Sequence, residues 1–248
     1  MEVTAIKTHP ILPGDELLSI LDHYLPKLRD GDILAVTSKI VSICEGSTVK
    51  NDGSVDKLTL IKQEAHLYLD IPLSKTYGVT ITIKDHKLVA NSGIDESNGN
   101  GYFILWPRDP FASAAVIWTH LRHEYSLNHL GIIITDSHMV PLQWGTRGRA
   151  IAWCGFEPLK NYIGTPDIFG KNLHATKASV IDSLAAAAVA VMGEGNEQKP
   201  LALIRDFSLA SYVSHPPTKK EIDALTINPT DDIYAPLLTS VQWKKHNG

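Results

Sequence analysis

GIIITDSHMVPLQWGTRG, residues 131–148, decides how this chain is read. Ile132, Ile133 and Ile134 form a β-branched run of the kind that makes a buried strand, and it leads directly into Thr135, Asp136 and Ser137. Polar groups at a strand end invite a ligand. The stretch that follows, VPLQWGTRG, contains two glycines and no acidic residue, so Asp136 stands alone between a core strand and a loop. The rest of the sequence has to say whether that aspartate forms a turn or binds something.

The chain has 248 residues, of which 44% are hydrophobic, enough for a substantial core without covalent staples. A formal charge of −4 gives no long-range attraction to nucleic acid or to an anionic membrane, so an anionic ligand must be met by local groups. Cys44 and Cys154 are far apart in apolar contexts, which excludes a disulfide scaffold or a thiolate zinc site and fits a reducing compartment. The N-terminus lacks a basic stretch followed by an apolar one, and no run approaches the ~20 apolar residues of a membrane span. A cytoplasmic protein is expected.

Outward from the opening stretch, LPGDELLSILDHYL predicts a surface helix from Leu17, Leu18, Leu21 and Leu25, limited by Pro26. DGDILAVTSKIVS, residues 30–42, reads as a buried strand carrying Thr37, Ser38 and Lys39 near its end. Residues 55–69 read as a helix, and 79–83 and 87–91 as paired strands around a Lys84-Asp85-His86 turn. SGIDESNGNGYFILW is a polar loop with three glycines before an apolar strand, after which Asp109-Pro110 caps a helix over 111–126. Residues 149–155 predict a strand, 176–192 an alanine-rich buried helix stopped by Gly193, and LALIRDF another strand. SHPPTKKEIDAL is a turn into a short helix, and the tail after it is weakly patterned.

Asp95 in GIDESN and Asp136 each put a carboxylate beside hydroxyls or amides, the oxygen ligands preferred by Mg²⁺ or Mn²⁺. Taken singly, each is equally an Asx turn or a cap. GEGNEQK adds glycines whose N–H groups suit phosphate, with Glu194 as a hard-metal ligand and Lys199 as a point charge, although it also reads as a solvated loop. No P-loop is present; GTPDIFGK, residues 164–171, has the wrong glycine spacing and no Ser or Thr after Lys171. HLRHE lacks the His-Glu-x-x-His order, so His120 and His123 read as a helix-surface pair. No serine lies in a Gly-x-Ser-x-Gly context, which argues against hydrolysis through a covalent serine.

Seven segments in unbroken order, TSKIVSICEG, SGIDESN, PRDPFASA, GIIITDS, GTRGRAIAWCG, NYIGTPDIFGKNL and MGEGNEQKPLALIRDF, together resemble the coenzyme F420-0:L-glutamate ligase family over roughly residues 8–207. The resemblance implies an α+β, mixed-sheet fold forming an intertwined homodimer. It implies a ligase-like domain over 1–207, open to division into two subdomains, with 208–248 as an extension packed on the same unit. The implied activity is GTP-dependent, or ATP-dependent, amide formation between glutamate and a carboxylate acceptor through an acyl phosphate. The implied metal ligands for Mg²⁺ or Mn²⁺, with K⁺ as a further cation, are Asp95, Asp136, Ser137 and Glu194. The implied nucleotide positions are His9, Pro10, Ile11, Leu12, Ser38, Lys39, Asn98, Met192, Gly193, Glu194, Gly195, Asn196, Glu197, Gln198 and Lys199. Partners are then small molecules and a second copy of the chain, with no nucleic acid and no membrane.

The departures from the family pattern concern basic residues. The family commonly has Lys at the position of Ile43, Arg at Val140 and Gln143, and Asp-Tyr-Arg-Gly where this chain has Asn161, Tyr162, Ile163 and Gly164. Loss of groups that pair with phosphate and carboxylate points to a changed acceptor, such as a folate, with Arg147 and Arg149 as partial replacements and Trp144 or Trp153 available to stack on a flat ring. A catalytically idle homologue that binds nucleotide or serves as a structural dimer, and a metal-dependent hydrolase, are the competing readings.

Overall fold

The computed structural model describes residues 1–70 and 78–246, which divide into two compact units. Unit one is Met1–Glu45 with Pro107–Pro217, and unit two is Gly46–Trp106 with Thr218–Gly248. Elements are numbered in chain order. In unit one, strands β1 (Glu2–Ile6), β2 (Asp32–Thr37), β8 (Leu130–Met139), β9 (Thr146–Cys154) and β12 (Leu201–Arg205) form a sheet of order β1-β12-β2-β8-β9. Only β2 and β8 run parallel, so the sheet is mixed and the fold is α+β, as expected.

Successive residues Ile33, Leu34, Ala35 and Val36 are fully buried, and successive strand residues point to opposite faces, so both faces of β2 are covered. Helices α4 (Pro110–Tyr125) and α5 (Val180–Met192) pack on this sheet, and α1 (Leu17–Tyr24) packs against α2 (Ser38–Glu45). The Asp109 carboxylate caps α4 by accepting the Ala112 N–H at 2.9 Å, with Pro110 fixing the first turn. Ser179 caps α5, whose stop at Gly193 uses a backbone φ of +83°. At the far end of the sheet, buried Asp32 accepts Arg205 Nε and Nη2 at 3.0 and 3.1 Å.

Unit two is built from β4 (Leu67–Leu69), β5 (Ile81–Lys84), β6 (Lys87–Ala90) and β13 (Trp243–Lys244) in a sheet of order β13-β4-β5-β6, with β3 (Thr48–Lys50) paired to β7 (Tyr102–Ile104). Helix α3 (Lys57–Glu64) contributes Leu60 and Ile61 to a small core with Ile94 and Phe103. The short helices α6 (Lys219–Asp223) and α7 (Ala235–Leu238) also belong to this unit. Among the described residues no helix is long and apolar enough to cross a membrane.

Four sequence expectations are corrected. The strand expected over 30–42 ends at Thr37, and Ser38 and Lys39 open α2 instead of closing a strand. A short apolar run fits either state, and here Ile40, Val41 and Ile43 are buried on a helix. The helix expected over 55–69 stops at Glu64, because Leu67 and Tyr68 pair with Ile83 and Thr82. The alanine-rich helix begins at Val180 and not at 176, since Lys177–Ser179, here β11, pairs with β10 (Leu159–Asn161). The hairpin turn uses only Asp85 and His86, both at positive φ, while Lys84 stays in the ladder.

Gly155 follows β9 with φ +85°, and a Cβ there would collide with the Leu130 carbonyl and the indole of Trp118. The indole needs that space, since Trp118 Nε1 donates to Leu130 O at 2.9 Å. Gly155→Ala combines left-handed strain with overpacking and is expected to destabilise the protein by about 2 kcal/mol or more. Urea unfolding checks this, and a change within about 0.5 kcal/mol would contradict it.

Candidate functional site

The sheet of unit one brings most of the predicted positions to one edge. Ile6 pairs with Leu201, Leu201 with Val36, and Val36 with Ile134, so the end of β1, the start of β12 and the ends of β2 and β8 lie in one row. The segment around His9–Leu12 leaves β1 at this edge, Ser38 and Lys39 follow β2, and the loop Met192–Lys199 enters β12. Backbone bonds tie these segments together: Thr8 N–H donates to Gln198 O at 3.0 Å, and Thr37 N–H donates to Pro200 O at 3.0 Å.

Beyond the Thr37–Thr135 pair, β8 pairs with β9 alone as a two-stranded ribbon. Asp136 lies opposite Arg149, Ser137 opposite Gly148 and His138 opposite Arg147. Neighbouring strand residues face opposite ways, and the contacts follow that alternation. Ser38 Oγ lies 3.5 Å from Asp136 Oδ1, whereas Ser137 Oγ donates to Glu194, 2.9 Å from Oε1 and 2.8 Å from Oε2. Thr146 Oγ1, at the foot of β9, donates to Glu194 Oε1 at 3.1 Å. Gly148 allows α5 to approach the ribbon, because a Cβ there would strike the Ala185 carbonyl and Val189.

The electrostatics follow from burial and partners. Burial lowers the Arg149 pKa, and the Asp136 and Asp182 carboxylates oppose that shift. The His138 imidazole is likewise held below its usual value, by burial first and then by Arg149, while its Nδ1 lies 2.9 Å from the Arg147 carbonyl. That carbonyl only accepts, so Nδ1 carries the proton. In the first loop, Asp15 accepts the Leu12 N–H at 2.8 Å, the main reason its carboxyl sits below the ordinary range. His9 is braced there by Tyr24 Oη at 2.9 Å and by Asp15 at 3.3 Å.

Asp95 and Asn98 belong to unit two. Asp95 Oδ1 accepts the Ser97 N–H and hydroxyl at 2.9 and 2.8 Å, an Asx turn of the kind the sequence allowed. Glu96 beside it receives Lys57 Nζ at 2.7 Å and Asn51 Nδ2 at 2.9 Å. Asn98 and Asn100 are both at positive φ, and a Cβ at Gly99 between them would collide with the Tyr102 carbonyl.

Among the described residues no three His, Cys, Asp or Glu side chains form a metal-holding group. In unit one the structure brings Ser137 to Glu194, a hydroxyl and a carboxylate of the hard-oxygen type, while Asp136 faces the other side of the ribbon towards Ser38. The buried Thr37 Oγ1, without a hydrogen-bond partner, lies at the same edge. The decoys resolve structurally. Asp167 Oδ1 in GTPDIFGK accepts the Phe169 and Lys171 N–H groups as a turn, and His120 Nε2 lies 2.7 Å from Asp22. Sequence reading missed Thr146, Asp15 and Tyr24. Thr146 is set beside Glu194 only by the ribbon register, and the other two are tied to the site segment only by their hydrogen bonds to His9 and Leu12.

The family model described as F420-0:Gamma-glutamyl ligase matches residues 5–206. A coenzyme F420:L-glutamate ligase of Haloarcula marismortui is 31% identical over 233 residues, covering 86% of this chain and 90% of the relative. Those of Methanosarcina barkeri and Methanosarcina mazei are 33% and 34% identical, covering 83% and 82% of this chain and 86% and 85% of the relatives.

Neither cysteine is a nucleophile of this site. Burial first, then Asp15, Glu16 and Glu45, push the Cys44 thiol up to about 12, and burial pushes Cys154 up to about 12. A thiol reagent at pH 8 is therefore expected to react with the native protein far more slowly than with the denatured chain, which should titrate two thiols. Fast stoichiometric labelling of the native protein would contradict this.

Proposed function

Because this chain belongs to the F420-0:Gamma-glutamyl ligase family, we propose that it is an amide-forming ligase that joins the amino group of L-glutamate, or a related amino acid, to a carboxylate acceptor at the expense of GTP or ATP. The observation that carries this reading is the convergence of His9–Leu12, Ser38–Lys39, Asp136–Ser137 and Met192–Lys199 on one edge of the five-stranded sheet. A carboxylate is a poor electrophile. Its oxygen therefore attacks the γ-phosphoryl group, releasing nucleoside diphosphate and leaving an acyl phosphate; the amine then attacks the acyl carbon, loses its proton, and inorganic phosphate departs.

The chain's own groups divide this work. Backbone N–H groups of Gly193–Lys199 and the side chains of Lys39 and Lys199, all in unit one, are proposed to meet the phosphates. Asp136, Ser137 and Glu194 are the residues of unit one proposed to hold Mg²⁺ or Mn²⁺, with K⁺ as a further cation. The divalent ion, when bound, neutralises charge that moves between phosphoryl oxygens. No side chain is assigned as general base.

The acceptor half differs from the family pattern, and the positions support a changed acceptor. Val140 and Gln143 lie at the ribbon tip beside Trp144, which is 86% exposed, and Ile163 is exposed on the β10–β11 hairpin. An acceptor with fewer negative groups and a flat ring, such as a folate, suits that lining. Turnover of F420-0 with GTP and glutamate at ordinary ligase rates would refute the change of acceptor. The exposed Leu142, Trp144, Ile168 and Phe169 at two hairpin tips favour a homodimer, since a monomer gains nothing by wetting them. The protein is proposed to act in the cytoplasm. Ile43, a buried residue where the family has Lys, favours the second reading of an idle nucleotide-binding homologue.

Incubation with GTP or ATP, Mn²⁺, glutamate and a panel of carboxylates is expected to give a glutamyl amide detectable by mass spectrometry, with one diphosphate per amide. Nucleotide binding without amide formation from any acceptor would favour the idle homologue, and phosphate release without glutamate would favour the hydrolase. Asp136→Asn and Glu194→Gln are each expected to lower kcat by about 100-fold or more with the fold intact. Wild-type rates in either variant would remove that residue from the site.

A further inference from the structure

We propose that Thr146 is a positioning residue for the metal ligand Glu194, and that its hydroxyl, acting with that of Ser137, clips the nucleotide loop to the β8–β9 ribbon. The inference rests on the ligase reading above. It gives a role to a residue that lies within the segment GTRGRAIAWCG but was assigned none there.

The argument is one of donors and acceptors. Glu194 follows the helix stop at Gly193 and is exposed, so packing does not fix its carboxylate. Ser137 Oγ lies within reach of both carboxylate oxygens, at 2.9 Å from Oε1 and 2.8 Å from Oε2, but a hydroxyl has a single proton. Thr146 Oγ1, 3.1 Å from Oε1, supplies the second. With Ser137 donating to the nearer Oε2 and Thr146 to Oε1, each carboxylate oxygen receives one O–H and keeps a lone pair for a cation. Remove Thr146 and the single Ser137 proton is shared between two equivalent oxygens, leaving the carboxylate free to turn.

The placement gives the clip a second consequence. Thr146 pairs with Met139 at the last rung before the ribbon tip, and the tip carries Val140, Gln143 and Trp144. Glu194 belongs to the loop that enters β12. Two hydroxyls from the two strands of the ribbon therefore hold one carboxylate from the nucleotide loop, joining the segment proposed to meet phosphate to the segment proposed to meet the acceptor.

The test compares full-length wild type, Thr146→Val and Thr146→Ser. Mn²⁺ is titrated by calorimetry without nucleotide or acceptor, and steady-state kinetics separate KM for the nucleotide from kcat. Thr146→Val keeps the shape and deletes the hydroxyl. It is expected to weaken Mn²⁺ binding about tenfold and to raise the nucleotide KM, with the unfolding midpoint unchanged, while Thr146→Ser restores both. Unchanged Mn²⁺ affinity in Thr146→Val, or no recovery in Thr146→Ser, overturns the inference and leaves the ligase reading standing. A wild type that binds no Mn²⁺ overturns the metal assignment of Glu194 and this inference together. Should Thr146→Val fail to fold, wild-type Mn²⁺ affinity in Thr146→Ser and a loss in Thr146→Ala keep the test decisive.

Discussion

The parallel register of β2 and β8 is the constraint on which the rest of unit one depends. Asp32 to Thr37 pair with Leu130 to Thr135, so the two strands reach the same edge of the sheet together. Each then leads into polar residues there, Ser38 and Lys39 after one strand and Asp136 and Ser137 after the other. Antiparallel β12 starts at that edge and β1 ends at it, which delivers two more loops. Four segments far apart in sequence meet because one pair of strands runs in the same direction. A parallel pair of this kind must be buried on both faces, and the unbroken apolar runs of β2 and β8 satisfy that requirement.

The chemistry of the edge is a contest between self-satisfaction and ligand binding. Glu194 is held by two hydroxyls and Glu197 accepts the Gly195 N–H at 2.8 Å, so the loop is braced by hydrogen bonds within the chain. Hydroxyl donors orient a carboxylate without adding an opposing charge, unlike Lys or Arg, which suits the cation proposed for Glu194. The far end of the sheet is the contrast. There buried Asp32 is paired with the half-buried Arg205, an ion pair that serves the fold.

Periodicity made the cores of the elements legible. The run of Ile132 to Ile134, the capping pair Asp109-Pro110 and the stop at Gly193 all read correctly because each is a local signal. The boundaries that failed depend on partners outside the window: Leu67–Leu69 becomes a strand only because β5 lies beside it, and Ser38 opens a helix because Ile40, Val41 and Ile43 find a core. The same division holds for the site. Asp136, Ser137 and Glu194 were proposed from an ordered set of motifs, whereas Thr146 lies in GTRGRAIAWCG without a role of its own and is set beside Glu194 only by the pairing of β9 with β8.

The central claim is that an acceptor carboxylate is activated by phosphoryl transfer before the amine attacks. The most direct measurement labels both carboxylate oxygens of the acceptor that supports turnover with ¹⁸O and follows the label into products. An acyl phosphate route predicts that each amide formed transfers one labelled oxygen into inorganic phosphate. Phosphate free of label, with amide still formed, would contradict it.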